Sequence, residues 1–138
     1  DGVLLGWTLD LAAVRRLGLM PTGSAVRGTS APPSPGNSNI ALTQGSRTRD
    51  ELIAEMGSGL IVTGFLGASI NSTTGDYSRG VSGHWVENGQ IVHSVNECTI
   101  AGNLHEMLKR ITPANDARTH LSHVVPSLLV EGLTLAGE

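Results

Sequence analysis

The sequence predicts an α+β domain dominated by β-strands, mostly antiparallel, with about three short helices. Three observations carry that expectation. Two apolar runs flank Asn88-Gly89, a turn pair that tolerates positive φ. Capping signatures at Asp10, Thr48 and Asn103 open short helical stretches. Segments rich in β-branched residues or in Gly, Ser and Thr fill most of the remainder. At 138 residues the chain fits one domain and is long enough to bury a core, since chains of this size hide about two thirds of their unfolded surface.

Taken in order, residues 2 to 9 are apolar and extended in character. Asp10 can then cap a helix from Leu11 to Leu17, with Leu11, Val14 and Leu17 on one face and Gly18 as its stop. Met20 to Asn39 is rich in Gly, Pro, Ser and Thr, and Pro32, Pro33 and Pro35 argue against regular ladders, so a long irregular loop is expected. Asn39 to Gln44 reads as a strand. Thr48-Arg49-Asp50-Glu51 forms a capping box for a helix carrying Leu52, Ile53 and Met56 on one side, ended by Gly57 and Gly59. Leu60 to Leu66 is a continuous apolar run between glycines, the pattern of a strand buried on both faces. After a Gly, Ser and Thr rich stretch over 67 to 80, Val81 to Val86 and Gln90 to Val95 form a hairpin around Asn88-Gly89. Asn103 caps a helix whose buried stripe would be Leu104, Met107, Leu108 and Ile111. Two final strands, near Thr119 to Val125 and Ser127 to Leu135, would close the sheet. Neither an internal repeat nor a heptad is present.

Composition excludes several function classes. Net charge is −3 and the nine basic residues are scattered, while aromatic residues make up 3% of the chain. Phosphate binding needs clustered Lys and Arg, usually with aromatics for stacking, so no nucleic-acid partner is expected. No apolar run approaches the roughly 20 residues needed to cross a bilayer, and there is no signal peptide, so no membrane partner is expected and the cytoplasm is the default location. Cys98 is the single cysteine, which rules out an intrachain disulfide. Because the chain starts at Asp1-Gly2 without a methionine, it is expected to be a piece of a longer protein.

Three dense motifs follow one another: Thr74-Gly75-Asp76-Tyr77-Ser78-Arg79-Gly80, then Trp85-Val86-Glu87-Asn88-Gly89, then Thr99-Ile100-Ala101-Gly102-Asn103-Leu104. With Arg15-Arg16-Leu17-Gly18-Leu19 and Thr22-Gly23-Ser24-Ala25 upstream, this order resembles the C-terminal domain of the TldD/PmbA family, once named modulators of DNA gyrase and now read as metallopeptidases and their partner subunits. The likeness is greater to the PmbA (TldE) branch. It implies a curved, barrel-like sheet and a dimer with a TldD-like subunit or with itself. It also implies a substrate of small or unfolded peptides, including modified peptides such as microcins. The family's zinc motif, H-E-x-x-x-H, does not occur in these residues, so zinc is expected in a TldD-like partner and no cofactor in this segment. Two alternatives stand beside this: an active homodimeric metallopeptidase whose zinc motif lies upstream, and a peptide-binding or assembly module without hydrolysis.

Candidate ligands for a metal are His84, His93, His105, His120, His123 and Cys98, but a zinc peptidase needs about three protein ligands converging on one ion. His120 and His123 would point to opposite faces of a strand, Cys98 sits where the PmbA branch commonly has an apolar residue, and no catalytic or metal-binding residue is expected here. Neither a Gly-x-Ser-x-Gly elbow nor a phosphate-binding glycine motif is present. The candidate substrate-binding residues are Asp76, Tyr77, Ser78 and Arg79, an acid, a phenol, a hydroxyl and a guanidinium between two glycines. They read either as part of a peptide cleft or as a tight bend held by Asp76 with Arg79 or Tyr77.

Overall fold

The computed structural model describes residues 3–137, which divide into two compact units. One comprises the chain up to Leu42 together with Arg118–Val125; the other comprises Thr43–Ala117 and the residues from Pro126 onward. The helices are α1 (Leu11–Leu17), α2 (Arg49–Met56) and α3 (Leu104–Lys109). The strands are β1 (Ala25–Val26), β2 (Ser34–Pro35), β3 (Ile40–Ala41), β4 (Gly59–Ile70), β5 (Asp76–Glu87), β6 (Gln90–Asn103), β7 (Ile111–Pro113), β8 (His123–Val124), β9 (Leu128–Val130) and β10 (Thr134–Ala136). A strand-dominated α+β class with mostly antiparallel pairing is what the sequence predicts.

In the first unit, α1 has the expected bounds. The Asp10 carboxylate accepts from the Ala13 amide at 2.7 Å, and Gly18 takes the left-handed conformation at φ 64°. Val14 is buried, while Leu11 and Leu17 stay exposed. Residues 3 to 9 form no strand. The loop that prolines were expected to keep irregular contains a short antiparallel ladder, Ala25 opposite Pro35 and Val26 opposite Ser34. A proline cannot donate, but the neighbouring Gly36 amide supplies the bond to the Ser24 carbonyl at 3.0 Å. Strand β3 is shorter than predicted and pairs in parallel with β8.

In the second unit, α2 carries the predicted capping box. The Thr48 hydroxyl accepts from the Glu51 amide at 3.2 Å and the Glu51 carboxylate accepts from the Thr48 amide at 2.7 Å. Those donors hold the Glu51 pKa below its usual value, the Thr48 amide first. The main sheet has the order β10-β6-β5-β4, antiparallel throughout. Its centre is the predicted hairpin, with φ 52° at Asn88 and 73° at Gly89, continued much further than the apolar pattern alone marks. Val81, Cys98 and Ile100 form the buried cluster, packed by Leu60, Val62, Tyr77, Val95 and Leu133.

Three expectations fail in this unit. The Leu60 to Leu66 run lies in β4, an edge strand with Phe65 56% and Leu66 80% exposed, because a continuous apolar run reports local composition and not position within a sheet. Helix α3 buries none of its residues: Leu108 is 70% exposed and Ile111 already belongs to β7. The last apolar segment is broken at Gly132, φ 77°, into β9, which pairs with β7, and β10, which alone joins the main sheet. The outer strands β10 and β4 are not paired with each other, so the sheet is open and forms no closed barrel among the described residues.

Candidate functional site

The first and third sequence motifs meet at the end of the main sheet. Asn71 opens the β4–β5 turn, its side-chain oxygen accepting from the amides of Thr73 at 2.9 Å and Thr74 at 3.2 Å. Gly75 closes it at φ 81°, with its amide donating to the Asn71 carbonyl at 2.8 Å. From β6, the Asn103 side-chain amide donates to the Thr74 carbonyl at 2.8 Å and to the Asp76 carboxylate at 3.4 Å. Its oxygen meanwhile accepts from the His105 amide at 3.0 Å and so caps α3. One asparagine thus fastens a turn and starts a helix.

The four residues singled out from the sequence do not act as one group. Asp76 accepts from the Thr74 hydroxyl at 2.7 Å and belongs to the turn, so the bend is held by Thr74 and Asn103, not by Arg79 or Tyr77. Beyond it the chain is extended, and alternation sends Tyr77 and Arg79 to one face and Ser78 to the other. Tyr77 packs on the buried cluster. Arg79, opposite Ile100, lays its guanidinium over the Phe65 ring with its carbon 4.4 Å from the ring centroid. Its Nε is buried and has no hydrogen-bond partner. Phe65, the single phenylalanine of the chain, was not singled out from the sequence; its β4 position opposite Val81 puts it on the Arg79 face.

Phe65, Tyr77 and Ile100 of that face, but not Arg79, line a groove of about 780 Å³. Leu52 and Met56 of α2, Leu60 and Phe65 of β4, and Tyr77 and Ile100 are among its lining residues, together with β9 and the turn after it. The outer edge of β4 pairs with no strand among the described residues, over twelve residues that include neither charge nor proline.

The described residues do not fit a zinc ion. No group of three or more His, Cys, Asp or Glu side chains comes together among them. His84 is bonded through Nδ1 to the Ser94 hydroxyl at 3.2 Å, His93 stands opposite Trp85, and Cys98 is buried, 5% exposed, beside Val81 and Ile100 as a small apolar residue. His120 lies in a turn and not in the strand predicted for it, and His123 Nδ1 meets the Ser122 hydroxyl at 3.2 Å. No helix among the described residues is long and apolar enough to cross a membrane.

Comparison with known proteins gives these features a family. The PmbA/TldA metallopeptidase C-terminal domain model matches residues 1–137. Metalloprotease PmbA of Escherichia coli O157:H7 is 39% identical over 139 residues, an alignment that covers 100% of this chain and 29% of that protein. A candidate modulator of DNA gyrase from Bacteroides thetaiotaomicron superposes with a TM-score of 0.81 at 33% identity, over 99% of this chain and 29% of that one. TldE from Thermococcus kodakarensis shares the fold, with a TM-score of 0.85 at 23% identity over 99% of this chain and 32% of that one. The chain therefore spans less than a third of the length of these relatives. It belongs to the PmbA/TldA metallopeptidase C-terminal domain family, on the PmbA branch.

Proposed function

We propose that this domain is the wall and docking rim of a peptide cleft in a PmbA/TldE-like subunit of a cytoplasmic zinc metallopeptidase acting on small or unfolded peptides. Bond cleavage and the metal lie outside these residues, in a TldD-like partner. The observation that carries this reading is the 780 Å³ apolar groove bordered by the unpaired edge of β4. An extended peptide needs main-chain donors and acceptors along one side and apolar recesses for alternate side chains, and a free strand edge beside a groove supplies both. Tyr77 and Phe65 line the groove that takes the peptide, Arg79 stacks on Phe65 and holds that ring in place, and Asp76 fixes the turn ahead of Tyr77, while Ser78 lies on the opposite face. The barrel-like curvature implied by the family would wrap the sheet around the substrate. The metalloprotease name of the Escherichia coli relative supports the reaction class.

The test uses the full-length protein that carries this domain, alone and mixed with a TldD-like subunit. Cleavage of an unfolded peptide is followed by mass spectrometry, and bound zinc by elemental analysis. Turnover and zinc should appear with the TldD-like subunit and not without it. Turnover with stoichiometric zinc in the protein alone would replace this reading with a self-sufficient homodimeric peptidase. Peptide binding without cleavage by the pair would leave a binding or assembly module.

A further inference from the structure

We infer that a recess beside the groove, walled by Trp85, is an anchor subsite that takes one aromatic side chain of a peptide lying in that groove. This rests on the peptide-cleft reading above and adds to it which side chain the cleft selects. The recess measures about 280 Å³. Leu60, Trp85 and Leu135 line both it and the groove, so the two are contiguous, while His93, Val95 and Cys98 line the recess alone. That continuity is what assigns the recess to a side chain of the peptide.

The local course of the strands makes the hollow. Leu60, Trp85 and His93 stand opposite one another on β4, β5 and β6, and residues directly opposite share a face of the sheet. Strand β10 covers β6 only over Thr99–Ala101, so the row from Leu60 to His93 lies beyond its reach. Between the two, β6 bulges: Cys98 stands opposite Val81 and Val95 opposite Gly83, three steps along β6 answering two along β5, with Glu97 at φ 57°. Gly137, just past β10, passes so near the bulge that a Cβ there would lie 2.9 Å from the Cys98 Cα.

The chemistry of the walls selects the occupant. They hold no acid, lysine or arginine, so a charged side chain entering would give up water for little in return. The indole N–H of Trp85 already donates to the Glu87 carboxylate at 2.9 Å, which leaves its ring as the surface on offer. An aromatic guest can pack on that ring offset or edge to face, with Leu60, Val95 and Leu135 completing an apolar enclosure. Size agrees, since a cavity of about 150 Å³ lined by apolar side chains already admits benzene.

The experiment measures binding to the full-length protein by anisotropy, with fluorescent Gly-Ser peptides that carry one central guest residue: Trp, Phe, Leu, Ala, Glu or Lys. Phe or Trp should bind about tenfold tighter than Ala, equivalent to about 1.4 kcal/mol, with Leu between them and Glu and Lys no better than Ala. A benzophenone guest in place of Phe, photo-crosslinked and mapped by mass spectrometry, should attach within residues 90–98, whose His93, Val95 and Cys98 line the recess and not the groove. Trp85→Ala should cut the aromatic preference below about threefold, and Trp85→Phe should keep most of it. Aromatic guests that bind no tighter than Ala, Glu or Lys overturn the inference and leave the peptide cleft intact. The same holds for a preference that survives in Trp85→Ala, or for cross-links that fall wholly outside residues 90–98. Absence of binding by every peptide overturns both readings. The guest series and the cross-link use the wild-type protein, so neither depends on the folding of a variant.

Discussion

Gly83 offers a sharp test of how the main sheet is built. It sits in β5 opposite Val62 and Val95, at a point where the register shifts on both sides. Strand β4 passes so close that a Cβ on Gly83 would collide with the Ile61 carbonyl oxygen and lie 2.8 Å from the Ile61 carbonyl carbon and 3.1 Å from the Val62 Cα. These are backbone atoms and cannot rotate aside. Relief in Gly83→Ala requires β4 to move outward, with the loss of one or two ladder bonds. Overpacking costs about 1–3 kcal/mol and each lost bond about 1 kcal/mol net, so about 2–5 kcal/mol is expected from a domain whose total is of the order of 5–15 kcal/mol. Gly64→Ala is the matched control. There the nearest obstacle is the Ser82 hydroxyl at 2.5 Å, the end of a side chain free to change rotamer, and the cost should stay below about 1 kcal/mol. Hydrogen–deuterium exchange of the full-length protein, read in peptides spanning 59–70 and 76–87, distinguishes the two. Gly83→Ala should raise local opening by about thirtyfold or more, Gly64→Ala by less than about fivefold. If the two variants exchange alike, close backbone approach is not what requires glycine at position 83.

Two further outcomes follow from the same geometry. Thr48→Ala removes the acceptor for the Glu51 amide and should destabilise α2 by about 1 kcal/mol; Thr48→Ser should restore most of it, as judged by exchange in residues 49–56. Asp116 accepts from the Ser127 hydroxyl and the Ser127 amide, both at 2.7 Å, and these donors, the hydroxyl first, hold its pKa below the usual carboxylate value. A depressed folded pKa contributes stability above the unfolded pKa of about 3.9 and loses it as pH falls through the folded value. Protection around residues 126–128 should therefore exceed that of Asp116→Asn at neutral pH and converge with it in strong acid. A difference that is constant with pH would show that the charge of Asp116 plays no part.

The features that the sequence made legible are those encoded within a few residues. Asp10, Thr48 and Asn103 cap helices because a short polar side chain must satisfy amides that have no intrahelical partner, and each does so here. Asn88-Gly89 turns the chain because both residues accept positive φ. The features that were hidden depend on distant pairing. The apolar run in β4 carries no mark of lying at an edge, and α3 looks amphipathic yet only half-buries Leu104 and Met107 and leaves Leu108 exposed. Two-residue strands such as β1 and β8 have no periodicity to detect. At the candidate site, the motif Asp76-Tyr77-Ser78-Arg79 stood out by composition, but which side chains share a face followed from strand alternation. The stacking partner Phe65 became apparent once β4 was placed beside β5.

The outer edge of β4 has a cost of its own. Along these twelve residues the amides and carbonyls that point away from β5 meet no strand among the described residues, and with no lysine or proline to deter a second strand and with Phe65, Leu66 and Ile70 largely bare, they are a template for neighbouring molecules. Copies of this domain separated from whatever normally lies along that edge are therefore prone to join strand to strand, and a single lysine introduced at Leu66 is the smallest change that would keep them apart.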